Sequence, residues 1–153
     1  MAHNPVNHPL RPFYRSLGFL AGAYLIVFGV VGLIRSSDLR FTGLSDTHVF
    51  GQGTSTLWSI LAIIIGAIVA IAFALGRNLD VAAGKFLGWA ILVIGAYGLA
   101  TSRTDANFLG FTIITVIITF IVGLVLITSS LYGTVVPEHQ AGTPRQVREG
   151  RTA

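Results

Sequence analysis

The chain has 153 residues, of which 53% are hydrophobic and 10% charged, with a formal net charge of +4 and no cysteine. Soluble domains average about 25% charged residues, so the deficit points to lipid as the solvent. The missing cysteine excludes disulfide frameworks, thiolate metal sites and quinone-linked disulfide chemistry.

A membrane span needs roughly 20 apolar residues to cross a hydrocarbon core of about 30 Å. Four segments qualify, 16–34, 57–75, 81–100 and 108–132, and Lys85 is the single charge inside them. They leave no room for a separate soluble domain. The expected fold is an all-α membrane protein, a four-helix transmembrane bundle over residues 16–133. An N-terminal tail, 1–15, precedes it, and a polar tail, 134–153, expected to be disordered, follows it. Pro5, Pro9 and Pro12 suggest that the N-terminal tail is extended.

The first span carries Gly18, Gly22, Gly29 and Gly32. At 100° per residue they fall within about an 80° arc, a flat stripe on one helix face. The apolar run is longer than the roughly 7–15 residues of a signal-peptide core, and Arg35 follows it directly, so it reads as a retained span. The loop after it holds Asp46 and His48, too few ligands for a metal site, and Gly51-Gln52-Gly53, which lacks the lysine of a phosphate loop. Its apolar members Phe41, Leu44, Val49 and Phe50 suggest that it lies on the bundle or at the interface. Span two has a small face of Ser59, Ala62, Gly66 and Ala70. Trp58 and Trp89 are expected near opposite ends of their spans, as interfacial anchors.

Span three repeats the first stripe at an offset of 66 residues, as Gly84, Gly88, Gly95 and Gly98. Gly66 and Gly76 match Gly123 and Gly133 at an offset of 57. The bundle is therefore expected to be built from two like-oriented helical hairpins, an internal repeat with a pseudo-two-fold axis along the membrane normal. Small residues let helices approach where lipid supplies no hydrophobic drive. The stripes either pack span one against span three or form a docking face for another subunit. Lys85 lies about one turn into span three, where snorkelling to the interface explains it. Span four carries a polar stripe of Thr112, Thr115, Thr119, Gly123 and Ser130. Its hydroxyls can bond the carbonyl one turn back. They can also line a polar path with Lys85 at its inner mouth.

Four spans put both termini on one side. That side holds Arg11, Arg15, Arg77, Lys85, Arg145, Arg148 and Arg151, against Arg35, Arg40 and Arg103 on the other. The bias makes both ends cytoplasmic in a cell membrane. The basic charge then reflects topology rather than nucleic-acid binding, and the tail arginines are placed to touch anionic lipid. His3, His8, His48 and His139 all lie outside the spans, as do the six carboxylates, so neither a haem pair nor a buried acid is expected.

Arg15 before a glycine-striped first span, the Phe41-Thr42-Gly43 stretch, short later loops and Asn107 opening the last span resemble one family. It consists of small four-helix bacterial membrane proteins, common in actinobacteria and known only as a domain of unknown function. The resemblance covers residues 13–133. Many members carry a histidine four residues before the glycine of spans two and four, where this chain has Ala62 and Thr119. With no catalytic, cofactor or metal residues indicated, the expected role is a non-catalytic accessory subunit of a larger membrane assembly, a respiratory complex first among the settings. Its partners would be the lipid bilayer and other membrane subunits. The alternative is a small transporter or channel.

Overall fold

The computed structural model describes residues 7–35, 41–43 and 48–136. It is an all-α bundle: α1 (Arg11–Arg35), a short hairpin of β1 (His48–Val49) and β2 (Gln52–Gly53), then α2 (Thr56–Leu75), α3 (Leu79–Thr101) and α4 (Ile113–Leu131). At 1.5 Å per residue these 19- to 25-residue helices are roughly 28 to 38 Å long, enough to span a bilayer. Large apolar side chains cover the outside of all four, including Leu20, Ile34, Ile68, Ile71, Phe86, Val93, Ile117 and Leu124. A water-facing surface would not carry so continuous an apolar coat. The chain is a multi-pass membrane protein.

Each helix runs antiparallel to its neighbours, and α1 and α3 sit diagonally opposite. Packing within the pairs α1–α2 and α3–α4 is much closer than packing between the pairs. Two apolar cores stack along the axis. One holds Leu25, Val69, Phe73, Ile91, Val122 and Leu126. The other holds Phe28, Val49, Trp58, Leu109, Phe111 and Val116.

The helix ends differ from the sequence expectation for local reasons. α1 starts at Arg11 rather than at residue 16. Pro12 falls in its first turn, where the missing N–H is no loss, so this proline does not belong to an extended tail. α4 starts at Ile113 rather than at residue 108. Asn107 holds the preceding segment in a turn, donating to the Phe111 carbonyl at 2.8 Å and accepting from the Phe111 N–H at 2.9 Å. Thr112 then caps α4 in a reciprocal capping box with Thr115. α2 and α3 are joined by Gly76, Arg77 and Asn78, all with positive φ (69°, 54° and 66°). Only glycine takes that conformation without strain, and it stands at the helix C-terminus, where its N–H closes onto the Ala72 carbonyl.

Residues 134–136, expected in a disordered tail, are held in place. The Asn7 side chain bonds both the N–H and the carbonyl of Val136, and Asn78 does the same for Val135. Residues 1–6 and 137–153, with the arginines of the C-terminal tail, lie outside the described residues.

Candidate functional site

The glycine stripes face neither each other nor the lipid. Each meets the other helix of its own hairpin. A methyl group on Gly22 would lie 2.7 Å from the Ala70 nitrogen and 2.9 Å from the Gly66 carbonyl oxygen. Gly18 faces Phe73, Gly29 faces Ser59 and Ile63, and Gly32 faces Ser59 and Thr54. Hence the small face of α2 serves to receive α1. On the second hairpin, Gly88 and Gly123 face each other's carbonyls at 3.1 Å. Gly84 meets Leu126 and Ser130 and, from the other hairpin, the ring edge of Phe73 at 3.1 Å; Gly95 meets Thr119 and Phe120, and Gly98 meets Phe111. The expected contact of span one with span three is therefore replaced by contact within each hairpin. The reason is steric: a backbone stripe accommodates one close neighbour, and the antiparallel partner joined by the chain takes that place.

The partners correspond in register. Gly22 opposite Gly66 becomes, 66 and 57 residues on, Gly88 opposite Gly123. The same shifts carry Gly29 opposite Ile63 to Gly95 opposite Phe120, and Gly32 opposite Thr54 to Gly98 opposite Phe111.

The polar stripe of Thr112, Thr115, Thr119 and Ser130 is engaged with the chain's own backbone. The Thr112 hydroxyl accepts from the Gly53 N–H at 3.1 Å, and the Thr115 hydroxyl donates to the Gly53 carbonyl at 2.8 Å. Thr119 donates to the Thr115 carbonyl at 2.7 Å and Ser130 to that of Ile127. Lys85 is exposed on the outside of α3 and is not brought to this face. The four residues considered for a polar path thus do not form one constellation.

What the threonines hold is the loop before α2. Phe50 and Gly51 both take positive φ (51° and 78°), the pattern of a tight two-residue hairpin turn. The hairpin tucks Val49, Gln52, Thr54 and Ser55 into the end of the bundle, while Phe41 and Phe50 stay exposed. Gln52 donates to the Tyr24 hydroxyl at 2.6 Å. Gly53 is needed because a methyl there would lie 2.8 Å from the Gly110 carbonyl oxygen. Leu44 and Asp46 lie outside the described residues, and among the described residues no three His, Asp or Glu side chains cluster as a metal site. Trp58 is an interior residue, edge-on to Phe111, rather than an interfacial anchor. Trp89 stands near the middle of α3.

The opposite end holds a partly buried cluster built on Asp80, Arg11 and Arg15, which sequence reading placed outside the membrane. Asp80 is in the first turn of α3 and only 1% exposed. Its Oδ2 is 3.5 Å from Nη2 of Arg11, while its Oδ1 and the nearby buried Ser129 hydroxyl have no hydrogen-bond partner among the described residues. Arg11 also donates through Nε to the Gly133 carbonyl at 2.9 Å. Arg15 closes the C-terminus of α2, donating to the carbonyls of Phe73 at 3.0 Å and Ala74 at 2.7 Å. These are carbonyls that the helix itself leaves unpaired. Tyr14 stacks on Tyr132 at 4.5 Å, with His8 edge-on to it, so α1 is also tied to the end of α4. A basic residue five positions before a span boundary, next to an aspartate one position before another, was the only signal of this pairing.

Among known proteins, no family model, no curated protein and no solved structure matches the chain.

Proposed function

We propose that the chain is a non-catalytic accessory subunit of a larger membrane assembly, with a respiratory complex as the first setting to test, lying in the cell membrane with both ends cytoplasmic. The observation that carries this reading is the outer face of α3. It is the least buried of the four helices and has the lowest mean hydropathy, 1.6 against 2.4 to 2.7. It presents Lys85, Phe86, Trp89 and Val93 outward. Trp89 is 58% exposed at mid-helix, and its indole N–H has no acceptor among the described residues. Tryptophan favours the membrane interfaces, and an unpartnered N–H in hydrocarbon is costly. A protein neighbour can supply both an acceptor for Trp89 and a counter-charge for Lys85.

The same reading takes the two hairpins as copies of one duplicated unit, supported by the matched glycine partners at offsets of 66 and 57. It also takes the chain as a relative of the four-helix actinobacterial family it resembles. A transport path along α4 has no support from Thr112, Thr115 and Thr119, which bond the chain's own backbone, or from Lys85, which faces outward.

The test is purification of the tagged chain in mild detergent, followed by mass spectrometry of what accompanies it. The expected result is recovery of larger membrane subunits in fixed ratio, lost on Trp89→Ala and kept on Ile117→Ala, a change on the outer face of α4. A chain recovered alone, or equal recovery with both variants, would overturn the proposal.

A further inference from the structure

A groove of about 650 Å³ opens between the first turns of α1 and the end of α2. That size falls within the roughly 300–1,000 Å³ typical of small-ligand sites. Its two ends differ in chemistry. At the end of the bundle it is lined by Arg11, Arg15 and Ser16, and further along by Phe19, Leu20 and Phe73. Phe19 and Leu20 are exposed on the lipid-facing side of α1, so the groove runs from the helix end into the apolar belt.

The polar end favours an anion for three reasons. Arg15 is paired with no carboxylate among the described residues; its Nε and Nη2 bond carbonyls and its Nη1 is left over. Arg11 donates through Nε to the Gly133 carbonyl and through Nη2 to Asp80, which offsets part of its charge, and keeps Nη1. The first turn of α1 contains no acidic residue, so the positive end of the helix dipole is uncompensated there. Asp80, the nearest acid among the described residues, is buried behind Arg11 and does not line the groove.

We propose that this groove binds one anionic phospholipid, with its phosphate at Arg11 and Arg15 and an acyl chain along Phe19, Leu20 and Phe73. A free anion would leave the apolar floor uncovered. A zwitterionic lipid would bring its own cation beside two guanidinium groups with no acid in the lining to receive it. Basic pockets between helices at the membrane surface are a general means of holding acidic headgroups. The site stands apart from the subunit reading, because α3 lies diagonally across the bundle from α1.

The test is native mass spectrometry of the full chain in mild detergent, with phosphatidylglycerol, phosphatidylcholine or glycerol phosphate as the added probe. One phosphatidylglycerol should be retained, phosphatidylcholine should not, and glycerol phosphate should fail to compete. Arg15→Gln should weaken retention about fivefold, the effect of one charge near the surface. Because Arg15 also closes α2, a second variant is needed. Ser16 is exposed and bonds only the Pro12 carbonyl, so Ser16→Asp should leave the unfolding midpoint unchanged while weakening lipid retention by a similar factor. Equal retention of the two lipids, competition by glycerol phosphate, or unchanged binding in Ser16→Asp would overturn the proposal.

Discussion

Alanine at Gly22 and alanine at Gly95 should have opposite effects, although both glycines lie on a stripe of the same spacing. A methyl group at Gly22 meets two backbone atoms, the Ala70 nitrogen at 2.7 Å and the Gly66 oxygen at 2.9 Å, and the Val69 side chain at 3.0 Å. Ordinary carbon contacts lie at about 3.5–4.0 Å. Backbone atoms cannot rotate aside, so α1 and α2 must part by about 1 Å along their whole seam. A gap of that size forfeits roughly a quarter to a half of the dispersion energy of each contact across it. Overpacking of this kind costs about 1–3 kcal/mol, and here the upper end applies. The helix-propensity gain of alanine over glycine, about 1 kcal/mol, offsets part of it. The net loss should be about 2 kcal/mol, close to a thirtyfold shift in the folded-to-unfolded ratio. At Gly95 the nearest atoms are side-chain carbons at 3.3, 3.5 and 3.6 Å. The cost there is small and the propensity gain remains, so Gly95→Ala should be neutral or stabilising by up to about 1 kcal/mol. Denaturant titration of both variants in the same detergent, followed by circular dichroism, gives the comparison. If Gly22→Ala proved as stable as Gly95→Ala, the claim that backbone contact seals the first hairpin would fail.

The remaining predictions concern the two ends. Arg11→Ala should destabilise by about 3–5 kcal/mol, because it strands the Asp80 charge in the interior, whereas Asp80→Asn should cost clearly less, since Arg11 is 22% exposed and can turn to solvent; equal losses in unfolding titrations would refute the asymmetry. Thr115→Val keeps the shape of the side chain but leaves the Gly53 carbonyl without its donor, at a cost of about 1–3 kcal/mol; amide hydrogen exchange over residues 48–55 should rise, and unchanged exchange would mean that the hairpin is held otherwise. Asn78→Ala removes both bonds to Val135, so limited proteolysis between residues 133 and 136 should become faster than in wild type. An unchanged cleavage rate would count against that anchoring.

Much of the architecture was legible along the chain. The number of spans follows from runs of apolar residues, and the close approach of helices follows from glycines at helical spacing. The limits of the spans were less legible. Arg11 and Arg15 look like a polar tail, yet they are helical because each finds carbonyls on another element. Residues 108–112 look apolar enough for a span, yet Asn107 folds them into a turn, with Gly110 at positive φ. Asp80 lies one residue outside the apolar run, and nothing in its neighbourhood announces that it is buried. The threonine stripe of α4 was visible by its spacing, but its use was not, because the group it bonds, Gly53, lies 62 residues away from Thr115.

The sequence by itself determined the solvent, the helix count and the faces along which backbones must come close. These are local properties: partition into lipid and side-chain volume are set residue by residue. Which backbone fills each face was decided only by the tertiary structure. A glycine stripe says that something approaches and carries no information about what, so Gly22 accepts Gly66 rather than span three because the antiparallel hairpin brings α2 there first. With both stripes filled inside the chain, the surfaces proposed for other molecules are the outer face of α3 and the arginine-lined groove beside α1.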